Sequence, residues 1–260
     1  MEKSETVNKI VFFIKKYCWE FTLALLCILF IFSNIGLYPL IDIDETRYVN
    51  MSKFMFLNKE YITPVLNFEP FLEKPPLYFW LNILSFKLFH NFSLFACRFS
   101  LGLVAVFGIF VQFYFSSFIS KNKFFGFLSS SILLSSVWYI VFSHIAILDM
   151  HFCVFSACAI YCAIVPLFGI KEENKKYFWY LGYIFMALSI LAKGFIGLAL
   201  PCGVVFFTYL YQKKLKELFK PIYIIPGVIV LFLLCAPWHI LMYKIHSQNW
   251  IDMYILKHHF

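Results

Sequence analysis

Charge is what this sequence has least of. Only 14% of its 260 residues are Asp, Glu, Lys or Arg, against about 25% in a soluble domain, and that shortfall excludes an ordinary water-soluble fold. Paired cysteines are missing as well. Cys18, Cys27, Cys97, Cys153, Cys158, Cys162, Cys202 and Cys235 lie mostly inside apolar runs and none forms a CxxC. They read as small hydrophobes, which excludes a disulfide framework or a zinc ribbon. No A-x-A-like cleavage site follows the first apolar run, "CILFIFSNIGLYPL", so that run is expected to stay in the chain as an anchor. There is no internal repeat and no low-complexity segment, which argues against a transporter assembled from two related halves.

What is present is apolar surface: 62% of the residues are hydrophobic and 22% aromatic. A spanning helix needs about 20 apolar residues. The pattern predicts an all-α polytopic membrane protein with about seven spans, at 20–40, 99–119, 124–143, 151–170, 177–192, 194–211 and 221–241. The fifth and sixth are separated at Lys193-Gly194, where a lysine and a glycine mark a turn at the bilayer surface. The stretch 76–90, "PLYFWLNILSFKLFH", is helical in pattern but too short to cross, and is expected as a juxtamembrane or re-entrant helix. It lies in a long loop, 41–98, between the first two spans.

The lysines orient this arrangement. With residues 1–19 as a cytoplasmic N-terminus, alternation puts Lys121 and Lys123 inside, with Lys171, Lys175 and Lys176, and Lys213, Lys214, Lys216 and Lys220. Thirteen of the 22 Lys and Arg then sit on or near short cytoplasmic segments, as the positive-inside rule requires. Trp19, Trp138, Trp179 and Trp238 fall near span ends, where indole prefers the headgroup level. The net charge of +8 is thereby explained by membrane topology and implies no nucleic acid. The location expected is the cytoplasmic (inner) membrane, crossed several times, with the 41–98 loop outside.

That loop opens on "DIDETRY", four charged residues within six positions after a long apolar run. Other isolated charges fall on the same side: Glu73 and Lys74 in "FLEKPP", Asp149 in "AILDMHF", Lys193 in "LAKGFIG", and His258 and His259 at the C-terminus. Each also has a plain structural reading. Asp44 suits the N-cap of a following helix, Arg47 and Lys74 suit interfacial anchors, Lys193 can snorkel, and the histidines can be solvated. Their convergence on one face, where unpaired charge is costly, is what suggests a site at the membrane–water boundary.

The string "DETRYVNMSKFM…YITPVLNFEPFLEKPPLYFWL" resembles the first outer loop of bacterial lipid-dependent glycosyltransferases, the GT-C group that includes aminoarabinose transferase and the protein O-mannosyltransferases. "LDMHF", "LAKGFIGLALP" and "APWHILMYKIHSQNWIDMYILKHHF" are similar to later segments of that family, in the right order, so the resemblance covers residues 40 to 260. One departure is Leu72, where an aromatic usually precedes the Glu. The resemblance implies a membrane enzyme that passes a sugar from a polyprenyl-phosphate carrier to a lipid A, protein or other surface glycan acceptor. It implies Asp44 as the catalytic aspartate, and Glu45, Arg47, Tyr48, Lys74, Asp149 and Lys193 as substrate-binding residues. Arg47, Lys74 and Lys193 supply cations for the leaving phosphate, and Asp149 lines the sugar or acceptor pocket. Glu73 and His259 match a divalent-metal site, zinc or magnesium.

The match runs to Phe260, inside the family's final segment, whereas family members are typically longer. A second chain supplying further helices, and little activity of these 260 residues alone, are therefore expected. A lipid-linked anion transporter or flippase and an inactive truncated remnant are the competing readings.

Overall fold

The computed structural model describes residues 16–41 and 43–257 and is mostly helical, as expected. Helix α1 occupies residues 16–32, its last turn widening to a π-helix at Ile28–Phe32. Then follow α2 (Ile43–Asn58), a hairpin of β1 (Val65–Leu66) and β2 (Glu69–Pro70), α3 (Leu77–Phe89), α4 (Leu94–Ser120), α5 (Lys123–Leu134) and α6 (Val137–His144). They continue as α7 (Asp149–Ile164), α8 (Glu172–Lys193), α9 (Ile196–Tyr211), the single turn α10 (Leu215–Leu218) and α11 (Pro221–Trp250), which runs on as a π-helix to Lys257. The hairpin turns on Asn67 and Phe68, both at positive φ, the backbone that a two-residue hairpin requires.

The expectation of seven spans is met only in part. Among the described residues three helices are long and apolar enough to cross a bilayer: α4, α7 with its 3-10 extension to Leu167, and α11 with its π extension. A fourth forms if α5 and α6 count as one bent span. The segment 124–143, expected as one span, bends by 64° between α5 and α6. Ser135 closes α5 through its backbone N–H on Ser131 and Leu133, and Ser136 leaves the helical region with ψ 126°. The segment 194–211 becomes α9, whose 16 residues reach about 24 Å, short of a ~30 Å hydrocarbon core. α8 starts at Glu172 and carries charge in its first turn. The segment 76–90 is a 13-residue helix, as its length indicated.

Helices α4, α7 and α8 form the centre of the bundle, with α5 against α4 and with α9 and α11 against α8. One core joins α1 (Leu23, Cys27, Ile31) to α4 (Leu101, Ala105, Ile109) and α7 (Val154, Cys158). A second joins α2 and α3 to the start of α4 and to the α6–α7 link, through Met51, Met55, Phe79, Phe86, Cys97 and Ala146. The two halves of the 172–211 hairpin separate at Gly194, whose φ of 81° lies where glycine has no steric penalty. Three residues on, Gly197 presses on the backbone of α8: a Cβ there would overlap the carbonyl of Ser189. Gly197→Ala is accordingly expected to cost about 1–3 kcal/mol through overpacking. The check is thermal unfolding of the detergent-solubilised protein followed by tryptophan fluorescence, and an unchanged midpoint would contradict the close approach.

Candidate active site at the head of α2

α2 buries Glu45, Tyr48, Val49, Met51, Ser52 and Met55, a spacing that puts one face of the helix inward. Asp44, exposed, and Arg47, half-buried, lie beside that face, joined by an Oδ1–Nη1 contact of 3.1 Å. The first turn of α2 therefore contributes to two ion pairs, Glu45 turned in and the Asp44–Arg47 pair turned out.

The inward half is a buried knot. Glu45 is 1% exposed and its Oε1 lies 2.7 Å from Nε of Arg98, itself 3% exposed. The same oxygen accepts the N–H of Ala146 at 2.9 Å, and Oε2 accepts the N–H of Ile41 at 3.1 Å. Reaching back to a backbone N–H ahead of the helix is the device of a capping box. Arg98 spends its remaining donors on backbone carbonyls, Nη1 on Tyr38 at 2.7 Å and Nη2 on Pro39 at 3.0 Å. The carbonyl of Ala146 in turn accepts the Tyr78 hydroxyl at 2.7 Å. Five segments are thus fastened together: the α1–α2 link, α2, α3, α4 and the α6–α7 link. A buried ion pair is tolerable when every remaining donor and acceptor is satisfied in this way.

Glu45 was expected among the substrate contacts and is enclosed here; its carboxylate is committed to Arg98 and to two backbone amides. Arg98, the last residue of the expected 41–98 loop, was not among the residues singled out in the sequence. The signal was there: a single arginine in "LFACRFSLGLVAV", within an apolar helix, needs an internal partner.

The outward half gathers around Tyr48. Its ring is 7% exposed and meets Phe71, Tyr78 and Phe79 edge-on, at centroid distances of 6.4, 5.9 and 6.2 Å. Burial pushes the phenol's pKa up to about 12; the negative charges of Asp44, Asp149 and Glu73 act the same way and Arg47 opposes them. Four of the charged residues singled out in the sequence, from α2, the 71–76 bend and α7, therefore lie within electrostatic reach of one hydroxyl. Arg47 also stacks its guanidinium over Phe71, 5.4 Å from the ring centroid. Asp149, at the N-terminus of α7, is ion-paired with Lys193 at the end of α8, whose ammonium lies 5.4 Å above the Phe152 ring.

Glu73 and Lys74 are half-buried in the bend between β2 and α3. The bend is held from beneath by α11: Leu72 packs with Trp238, Met242, Trp250 and Tyr254, and the Trp238 indole N–H donates to Ile62 O at 2.9 Å. Trp250 and Tyr254 reach this cluster because the chain breaks at Ser247, φ 49° and ψ −126°. Arg47 and Lys193 each have a carboxylate partner, whereas Lys74 makes no hydrogen bond or ion pair among the described residues. His258 and His259 lie outside the described residues. Among the described ones no group of three or more His, Cys, Asp and Glu is arranged to hold a metal, so Glu73 is the one expected ligand whose position is given.

A family model for dolichyl-phosphate-mannose-protein mannosyltransferase matches residues 16–251. A protein of Aquifex aeolicus (strain VF5) to which no function is attached is 31% identical over 237 residues, 91% of this chain and 46% of that one. The undecaprenyl phosphate-alpha-4-amino-4-deoxy-L-arabinose arabinosyl transferase of Pectobacterium carotovorum subsp. carotovorum (strain PC1) is 29% identical over 220 residues, 83% of this chain and 38% of that one. The crystal structure of ArnT from Cupriavidus metallidurans bound to undecaprenyl phosphate superposes with a TM-score of 0.81 at 21% identity, over 94% of this chain and 44% of that one. The chain spans less than half the length of these relatives. The fold is shared with ArnT, and the family model covers nearly the whole sequence: the chain belongs to the dolichyl-phosphate-mannose-protein mannosyltransferase family of GT-C membrane glycosyltransferases.

Proposed function

We propose that these residues form the sugar-transfer site of a lipid-linked glycosyltransferase on the outer face of the bacterial inner membrane. Its donor is a sugar on a polyprenyl phosphate, and the relatives' names point to undecaprenyl phosphate and aminoarabinose. Its acceptor is a hydroxyl or phosphate of lipid A, of a protein or of another surface glycan. The observation that carries this reading is that Asp44, Arg47, Glu73 and Asp149 all act electrostatically on the buried Tyr48 phenol, while the half-buried Lys74 makes no hydrogen bond or ion pair among the described residues.

In the transfer step an acceptor oxygen attacks the anomeric carbon while the bond from that carbon to the donor phosphate oxygen breaks. The phosphate departs with the bonding electrons. Lys74, Arg47 and Lys193 stabilise that developing charge, a role that fixed cations in a partly dehydrated site perform well. Where the acceptor is a hydroxyl, the Asp44 carboxylate accepts its proton; where it is a phosphate, Asp44 orients it. Asp149 lines the sugar or acceptor side. Glu73 is the ligand that the described residues offer to a divalent ion, zinc or magnesium, which would add positive charge beside the leaving phosphate.

Mass spectrometry of surface glycolipids and glycopeptides tests the whole reading. Cells without the gene are expected to lack one glycosyl mass that the wild-type gene restores; no change in any glycan would overturn it. Lys74→Met tests the phosphate end alone. Losing one charge-assisted contact is expected to weaken binding of undecaprenyl phosphate about tenfold to a hundredfold. Binding of the neutral alcohol undecaprenol should stay unchanged, and an equal loss for both lipids would mean that Lys74 only supports the loop.

A further inference from the structure

The site described above has three cations for a phosphate, and two of them are already taken. Arg47 is held by Asp44 at 3.1 Å and Lys193 by Asp149. The two carboxylates doing this are the ones assigned to the acceptor side. We propose that Asp44 and Asp149 are displaceable counter-ions. Each keeps its cation neutralised until a lipid phosphate takes the carboxylate's place, and arrival of the phosphate is what frees both carboxylates for the acceptor. This rests on the reading of the site as one for a lipid phosphate.

Two contrasts within the molecule support exchange. The first lies on the opening turn of α2, which carries one pair of each kind. Glu45–Arg98 is 1% and 3% exposed and closed by backbone hydrogen bonds on both partners. Asp44–Arg47 is 54% and 36% exposed, with one hydrogen bond between the partners. Exposed i,i+3 pairs contribute little net stability, and an arginine fork gains more from a phosphate, which it can grip through two parallel N–H···O bonds. The second contrast is Lys74, which has no competitor to displace among the described residues and so gives the phosphate its first hold.

Among the described residues the site's charges are Arg47, Lys74 and Lys193 with Asp44, Glu73 and Asp149, three of each sign. A phosphate first held by Lys74 can gain Arg47 and Lys193 as well only by displacing their carboxylates. While Arg47 donates to Asp44 Oδ1, that oxygen is occupied; once Arg47 turns to the phosphate, the oxygen can accept the acceptor's proton. Transfer is thereby ordered, donor before acceptor, with the base uncovered only when there is a leaving group to expel.

The test is binding of undecaprenyl phosphate to the purified chain in detergent, followed by intrinsic tryptophan fluorescence, with undecaprenol as the uncharged control. Asp44→Asn removes the internal competitor and is expected to tighten binding about threefold to fivefold. Arg47→Gln weakens binding, and in that background Asp44→Asn is expected to add nothing. Asp149→Asn in wild-type and Lys193→Gln backgrounds repeats the cycle on the second pair, independently of α2. Equal tightening with and without the cation would mean a general field effect and would overturn the exchange, as would no tightening at all. Wild-type protein that binds undecaprenyl phosphate no better than undecaprenol would reject the phosphate site itself, and the exchange with it.

Discussion

Asp44→Asn is expected to lower sugar transfer about a hundredfold to ten-thousandfold, the range that a positioned general base contributes, without loss of donor binding. The side chain keeps its size and its place in the exposed first turn of α2, where an asparagine oxygen can still accept a hydrogen bond. What it cannot do is take a proton. A fall in kcat with the donor's Kd unchanged or lower would place the defect in the transfer step. Equal losses in binding and turnover would instead assign Asp44 to holding the head of α2. An acceptor that is a phosphate diminishes the effect, since then the aspartate only orients, so the size of the loss also reports on the acceptor's chemistry.

The second large effect is on stability. Arg98→Met removes one partner of a pair that is 1% and 3% exposed and leaves the Glu45 carboxylate buried against two amides. Breaking such a pair from one side costs about 3–5 kcal/mol, enough to lower the thermal midpoint and the yield of folded protein together. Replacing both partners, Glu45→Leu with Arg98→Met, is expected to recover much of that loss, because the desolvated charge is gone along with its partner. A double variant as unstable as the single one would mean that the carbonyls at Tyr38 and Pro39, which lose Arg98 in both, dominate the cost.

Some of this was legible in the sequence and some was not, for identifiable reasons. The break at Lys193-Gly194 was readable because only a glycine accepts the backbone conformation that the turn imposes. The helix Leu77–Phe89 was readable because it is strongly apolar yet too short to cross. The bend between α5 and α6 was not: "KFFGFLSSSILLSSVWYIVFSH" is continuously apolar enough for one span, and paired serines break a helix only where the surroundings offer other partners. The gathering of Asp44, Arg47, Glu73 and Asp149 followed from isolated charges in apolar surroundings, each needing company. The inward turn of Glu45 did not follow. It directly follows Asp44, and helical geometry alone sends the two in different directions, one toward Arg98 and one toward solvent. Sequence showed how many charges there were but not which face each would take.

The knot around Arg98 also has a history written into its order along the chain. Its acid lies 53 residues before it and its carbonyls some 60 before it. A ribosome therefore delivers every partner of the guanidinium before the guanidinium itself. An arginine within an apolar helix is costly to place in a bilayer unless it is paired, and synthesis from the N-terminus means that α4 need never carry that burden alone. Ala146, which lies 101 residues after Glu45, arrives last, and with it Asp149. Insertion of α4 is thus made safe early in biogenesis, while the alignment of the two aspartates waits until α7 has been made.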